Sequence, residues 1–179
     1  MLMQSFACDR CSATFWCGGI CGAYILEGGS DMPVFSAESW CHDCNALVEA
    51  EAFPGVDAFE RALARLLANG LDDDDRETAK LLETAEDTFL AQQISDWRTR
   101  LDWRKNRVSA PRCLTCGSTH IHVLFDESRF TSFADALAGF SHPNCGGTFR
   151  RAEIGHGHPS GVTQFDSEGL QLDRESPVA

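Results

Sequence analysis

The sequence has no long apolar run, no segment that is basic overall and none of the common catalytic fingerprints, and each absence narrows its function. Residues 1–7 lack the basic start of a secretory leader, and no stretch that follows is apolar enough for a leader core or a membrane span. The expectation is a soluble, cytoplasmic chain in a reducing setting. Lys and Arg number 15 against 27 Asp and Glu, a formal charge of −12. Residues 1–56 carry seven acids and one base, 57–107 twelve and nine, and 108–179 eight and five. The field of the whole molecule therefore opposes non-specific binding to a polyphosphate. An acidic surface suits a basic protein partner, although acidity also simply keeps a protein in solution. No Gly-x-Ser-x-Gly, phosphate-loop or dinucleotide motif appears, and no His is followed two residues on by Glu. An enzyme is the minority reading.

What the chain has in abundance is cysteine: nine in 179 residues. That number implies either disulfides or metal, and without an oxidising compartment metal is the reading that remains. Cys113-Leu-Thr-Cys116 is followed by Gly117, and His142-Pro-Asn-Cys145 by Gly146-Gly147. Two ligands separated by two residues and followed by Gly form a knuckle. Its tight turn aims backbone N–H groups at the sulfurs, and Gly accepts the positive φ required. Two such pairs suit a closed tetrahedral site of the structural-zinc type. Over about residues 110–154 these motifs resemble the zinc-ribbon family, in which two knuckles at the tips of β-hairpins grip one zinc; here one ligand is His where many ribbons have Cys.

Residues 1–56 carry a second constellation. Cys8-Asp-Arg-Cys11 and Cys41-His-Asp-Cys44 are separated by 29 residues, with Phe6, Phe15 and Trp16 flanking the first pair where hairpin strands would bury a face. Read as one four-Cys site, this also resembles rubredoxin, down to an aromatic residue, Trp40, just before the second pair. It departs from that pattern at Ser12 and Asn45, where rubredoxin knuckles have Gly, and at His42, where the second has Pro. N–H···S bonds from the knuckles tune an iron–sulfur potential, so these departures favour zinc over iron. Cys17 and Cys21 remain over, either as alternative ligands or, as we favour, as ordinary thiols. His42 reads as a surface residue of its turn, and His120 and His122 as less well placed than His142.

Residues 56–108 contain no Cys and read as helix. Phe59, Leu63, Leu66 and Leu67 mark one face of a first helix that Asn69-Gly70 ends. Asp72 to Asp75 begin a second, whose stripe runs through Leu82, Ala85, Phe89, Trp97 and Leu101 to about Arg107, with an interruption expected near Gln92. The Asp run lacks calcium-loop spacing and reads as a helix start. Near the second helix's end, Arg98, Arg100, Trp103, Arg104, Lys105 and Arg107 have the composition of a nucleic-acid contact, although Lys and Arg also suit any helix C-terminus. Trp97 falls on the apolar stripe and Trp103 off it. Further on, Ile121, Val123 and Phe125 alternate as a strand; Phe130, Phe133, Ala134, Leu137 and Phe140 fit a packed segment. Strands are expected over 148–154 and 164–172. His156 and His158 read as a solvated loop, and the tail from Asp173 as frayed.

The expected fold is α+β: zinc-ribbon-like β modules over 1–56 and 109–179 flanking a helical hairpin over 57–108. The metal ligands would be Cys8, Cys11, Cys41 and Cys44 in one site and Cys113, Cys116, His142 and Cys145 in the other, giving two structural zincs per chain. Function would then lie in protein–protein contact, as an adaptor, regulator or immunity-type factor. The alternatives are a nucleic-acid-associated ribbon factor using residues 97–112 and a redox or hydrolytic metalloprotein.

Overall fold

The computed structural model of the chain describes residues 2–17, 20–124, 137, 139–156 and 161–172. Two compact units emerge: Met1–Phe53 together with Ser109–Ala179, and Pro54–Val108. The protein is α+β, with three helices and three small sheets among the described residues.

The first unit is built from three hairpins of the N-terminal stretch, each completed by one strand from beyond residue 109. Strand β1 (Leu2–Cys8) pairs antiparallel with β2 (Thr14–Cys17) and, on its other side, with β8 (Phe149–His156). Strand β3 (Gly22–Ile25) lies between β4 (Asp31–Pro33) and a parallel β9 (Thr163–Phe165). Strand β5 (Ser36–Cys41) lies between β6 (Ala46–Glu51) and β7 (Ile121–Val123). Period-two alternation sets these registers: Trp40 and Leu47 stand opposite one another and both are buried. The main core joins the first and third sheets through Phe6, Trp40, Leu47, Leu124, Leu137 and Phe149. Every sheet thus mixes the two stretches that the sequence reading treats as separate modules.

Just after Glu51 the chain leaves this unit, and just before Arg112 it returns. The two segments form a stem there: Glu51 N–H donates to Arg112 O at 2.8 Å, and Arg112 N–H returns a bond to Glu51 Oε2 at 2.8 Å. Tyr24 Oη–H donates to Glu51 Oε1 at 2.6 Å. Glu51 is fully buried, and these bonds supply the donors that a buried carboxylate requires.

The helical unit holds α1 (Val56–Asn69), α2 (Asp73–Leu81) and α3 (Glu86–Asn106). Gly70 ends α1 with a positive φ of 71°, and Asp72 caps α2 in a reciprocal capping box with Asp75. The second expected helix is in fact two. Its break falls over residues 82–85, where Glu83 has φ 52° and Leu82 is exposed, not near Gln92, which lies within α3. The N-terminal part of α1 lies against the C-terminal part of α3 through Phe59–Trp97 and Lys105–Glu60, so these two run antiparallel. Leu66, Leu71, Ala79 and Phe89 form the unit's small core, while Leu67, expected on the apolar face, is exposed. The expected segment through Phe130, Phe133 and Ala134, together with Phe125, His158 and the tail from Asp173, lies outside the described residues, as do the side chains of Cys17 and His156.

Two outcomes follow from these contacts. Asp72→Ala removes the α2 cap and should lower unfolding stability by about 1 kcal/mol in a urea titration. Glu49 of β6 is pushed up to about 7, first by burial and then by Glu38 opposite it on β5. A carboxyl whose folded pKa is raised destabilises the fold when ionised, so its cost is present above about pH 7 and disappears as pH falls toward its ordinary value. Glu49→Gln should therefore be the more stable protein at pH 8, with the difference in melting temperature narrowing below pH 7 and closing only near pH 4.5, the ordinary value of the carboxyl.

Candidate metal centre

Each knuckle adjoins a strand. Strand β1 delivers Cys8 and β5 delivers Cys41, while β7 and β8 leave shortly after the other two pairs. The residue following each pair is left-handed: Ser12 at φ 58°, Asn45 at 52°, Gly117 at 75° and Gly146 at 67°. Four turns of one shape result, two of them from residues that carry a Cβ. Asn adopts this conformation more readily than most residues, and Ser12 adopts it at some cost. The departures from Gly noted at Ser12 and Asn45 therefore do not change the turn.

The eight residues gather into two clusters of four, but not as neighbours in sequence. Cys8 and Cys11 meet His142 and Cys145; Cys41 and Cys44 meet Cys113 and Cys116; within each cluster the ligand atoms all lie within 4.8 Å of one another. The expected grouping of pair one with pair two and pair three with pair four is corrected to a nested one, an outer cluster enclosing an inner cluster. The physical reason is sheet pairing: β8 joins β1 along its whole length and β7 joins β5, bringing the last knuckle to the first and the third to the second.

Geometry tests whether an ion fits. A tetrahedral ion with metal–sulfur bonds of ~2.3 Å sets its sulfurs about 3.8 Å apart. In the inner cluster Cys41 Sγ and Cys116 Sγ are 3.7 Å apart, and Cys44 Sγ and Cys113 Sγ 3.8 Å. The outer cluster is a few tenths of an ångström tighter, with Cys8 Sγ–Cys145 Sγ 3.4 Å, Cys11 Sγ–His142 Nδ1 3.3 Å and Cys145 Sγ–His142 Nδ1 3.1 Å. Both sets fit a small tetrahedral cation. Backbone N–H groups point at the sulfurs as the knuckle requires, at 3.4 Å from Cys44, Thr115 and Gly147 to Cys41, Cys113 and Cys145.

The thiols do not ionise alike. Burial raises the Cys8 pKa, but N–H groups of Arg10 and Cys11 outweigh it and bring the thiol down to about 6. Burial, reinforced by neighbouring sulfurs, pushes Cys44 well up; burial leads the upward shifts of Cys113 and Cys145 as well. Four adjacent thiols cannot all ionise against one another, and a divalent ion removes that conflict by charge.

Partners near each cluster lock the knuckles together. Asp9 accepts from Thr148 N–H at 2.9 Å and Thr148 Oγ1–H at 2.6 Å, bonds that lead the lowering of its pKa, and Arg10 donates to the Cys145 carbonyl. At the inner cluster Asp43 pairs with Ser118, which leads its own downward shift, and His42 N–H donates to His120 O at 3.0 Å. Gly147 is obligatory, since a Cβ there would lie 2.5 Å from Cys8 Sγ. His142 is held differently. Its Nδ1 faces the sulfurs, while its buried Nε2 has no hydrogen-bond partner among the described residues. The ring is gripped by aromatic neighbours: Trp40 at 5.2 Å, Phe149 at 5.3 Å and Phe15 at 6.0 Å between centroids. None of these supporting roles was legible beforehand, because each joins residues that only the nested pairing brings together.

The remaining candidates stand apart from both clusters. His42 is exposed and stacks on His120 at 4.2 Å, His122 stacks on Phe140, and Cys21 is exposed. Within the helical unit Arg100 lies 5.2 Å over Trp97 and Arg107 5.2 Å over Trp103. Arg104 Nε–H donates to Pro54 O at 3.1 Å, and Lys105 pairs with Glu60 at 2.8 Å. Trp103, expected off the apolar stripe, is buried, as is Leu101 two residues before it. Two residues apart on a helix means nearly opposite sides, so the end of α3 is covered on more than one side and no single stripe describes it. Arg98 is exposed.

The chain matches no family model, and no curated protein or solved structure matches it.

Both groupings offer one tetrathiolate site and one Cys3His site, so a ligand substitution distinguishes them. With the nested clusters, Cys11→Ser should alter the Cys3His signature in the absorption spectrum of cobalt-loaded protein and leave the tetrathiolate signature intact; neighbour pairing requires the reverse.

Proposed function

We propose that the protein is a zinc-binding protein with two structural ions, built as interleaved ribbon-like modules, that acts by contacting another protein. The observation that carries this reading is the completeness of both donor sets. Each cluster offers four protein ligands in paired knuckles, whereas a catalytic zinc keeps a position for water or substrate. Soft thiolates and imidazole in tetrahedral array suit zinc among divalent ions. Each site contributes on the order of 10 kcal/mol of folding free energy to small sheets that bury little on their own. The charge of −12 favours a basic partner.

The nucleic-acid reading is weaker on physical grounds. Arg100, Arg104, Lys105 and Arg107 are engaged inside the helical unit, and Trp103 is buried, so base stacking would require its release.

Elemental analysis of protein purified under reducing conditions should return two zincs per chain and no visible colour; iron in either site would overturn the structural-zinc reading. A labelled Lys/Arg-rich peptide titrated into the zinc-loaded protein at low salt should bind and weaken as salt is raised. Binding of single-stranded DNA or RNA in its place would move the assignment to the nucleic-acid rival.

A further inference from the structure

The two clusters are unlike in chemistry, in bracing and in position along the chain. Resting on the metal reading above, we propose that they fill in order and that the outer cluster is a metal-responsive latch. The inner ion holds the body of the ribbon unit; the outer ion, bound only once the inner is in place, fastens β1 to β8.

The inner four are braced from within their own loop. Next to Cys113, the stem ties Glu51 to Arg112, Leu114 N–H donates to Glu49 O at 3.1 Å, and Arg112 reaches forward to the Gly117 carbonyl at 3.0 Å. On the other side His42 is bonded to His120. Although 68 residues separate Cys44 from Cys113, most belong to the helical unit, a compact unit in which Arg104 and Pro54 already meet. The stem and that contact together make the inner cluster a short-range structure.

The outer four depend on what the inner four build. His142 packs on Trp40, whose backbone leads directly into Cys41, and Asn144 donates to Asn45 Oδ1 at 2.8 Å, immediately after Cys44. Both supports flank inner ligands. Before the inner ion binds, Cys11 and His142 are the ends of a 130-residue loop. Afterwards the path runs through 29 residues to Cys41 and 25 from Cys116, which makes closure about fourfold more probable on chain entropy alone. That coupling is reciprocal, but the inner cluster also has bracing bonds of its own, Glu51 to Arg112 and Leu114 to Glu49, which involve no residue of the outer knuckles. The donor sets add to the asymmetry. A ligating His is usually fixed by a hydrogen bond from its second nitrogen, and packing takes that role here.

The experiment uses the full chain. Metal-free wild type is titrated with cobalt(II) and the thiolate charge-transfer bands are followed. The first equivalent should give the tetrathiolate signature and the second the Cys3His signature. Filling in the opposite order, or both sites together throughout, would overturn the ordered latch while leaving the metal reading intact. A wild type that takes up no cobalt would instead overturn the metal reading itself. Variants give an independent arm by zinc content. Gly147→Ala keeps all eight ligands yet drives a Cβ into Cys8 Sγ; it and Cys11→Ser should each retain one zinc per chain, in the tetrathiolate site. Loss of both ions in these variants would sink the proposal. Cys113→Ser should lose both ions, and an outer site that stays filled in Cys113→Ser would sink it equally.

Discussion

Four ligand atoms drawn within a few ångströms of one another, twice, is the constraint on which the ribbon unit depends. Thiols at 3.4 to 3.8 Å oppose each other's ionisation, and the spacing of both clusters is compatible with a shared cation. The sheets alone are small: three strands each, some of only three residues. A two-stranded hairpin is marginal in water, and here each hairpin gains a third strand from the far end of the chain. The clusters and the third strands are two aspects of one arrangement, since the pairing of β8 with β1 and of β7 with β5 brings the four knuckles together two by two.

The eight residues that cluster were legible because a two-residue gap with a turn-forming neighbour is a local signal. Their grouping was not. Neighbour pairing would close loops of 29 and 25 residues, nested pairing closes 130 and 68, and the entropy difference is about 2 kcal/mol in favour of neighbours. That is small beside what a metal site contributes and beside the pairing of β1 with β8, so the loop-length argument points the wrong way without being physically unsound. Periodicity likewise found the helices but not the break at residues 82–85, because Leu82 and Ala85 continue an apolar spacing that the backbone does not follow. The capping of α2 was readable at Asp72, as it depends on residues three apart. Trp103 was not, because covering a helix end on several sides leaves no periodic trace.

Trp40 joins the two halves of this logic. It stands in β5 beside an inner ligand, sits in the main core, and supports the imidazole of the outer cluster with its ring. A core residue that touches a ligand through an aromatic face transmits position without a polar bond. Its effect therefore depends on packing density and not on protonation.

The nested order also has a consequence in time. During synthesis the first knuckle emerges about 130 residues before its partners His142 and Cys145. At ordinary elongation rates Cys8 and Cys11 wait on the order of 10 s before their own site can exist, whereas Cys41 and Cys44 wait roughly half as long. In that interval these thiols are open to other metals, to oxidants and to other nascent chains. Until the distant pair emerges, the cell has to carry this one uncovered.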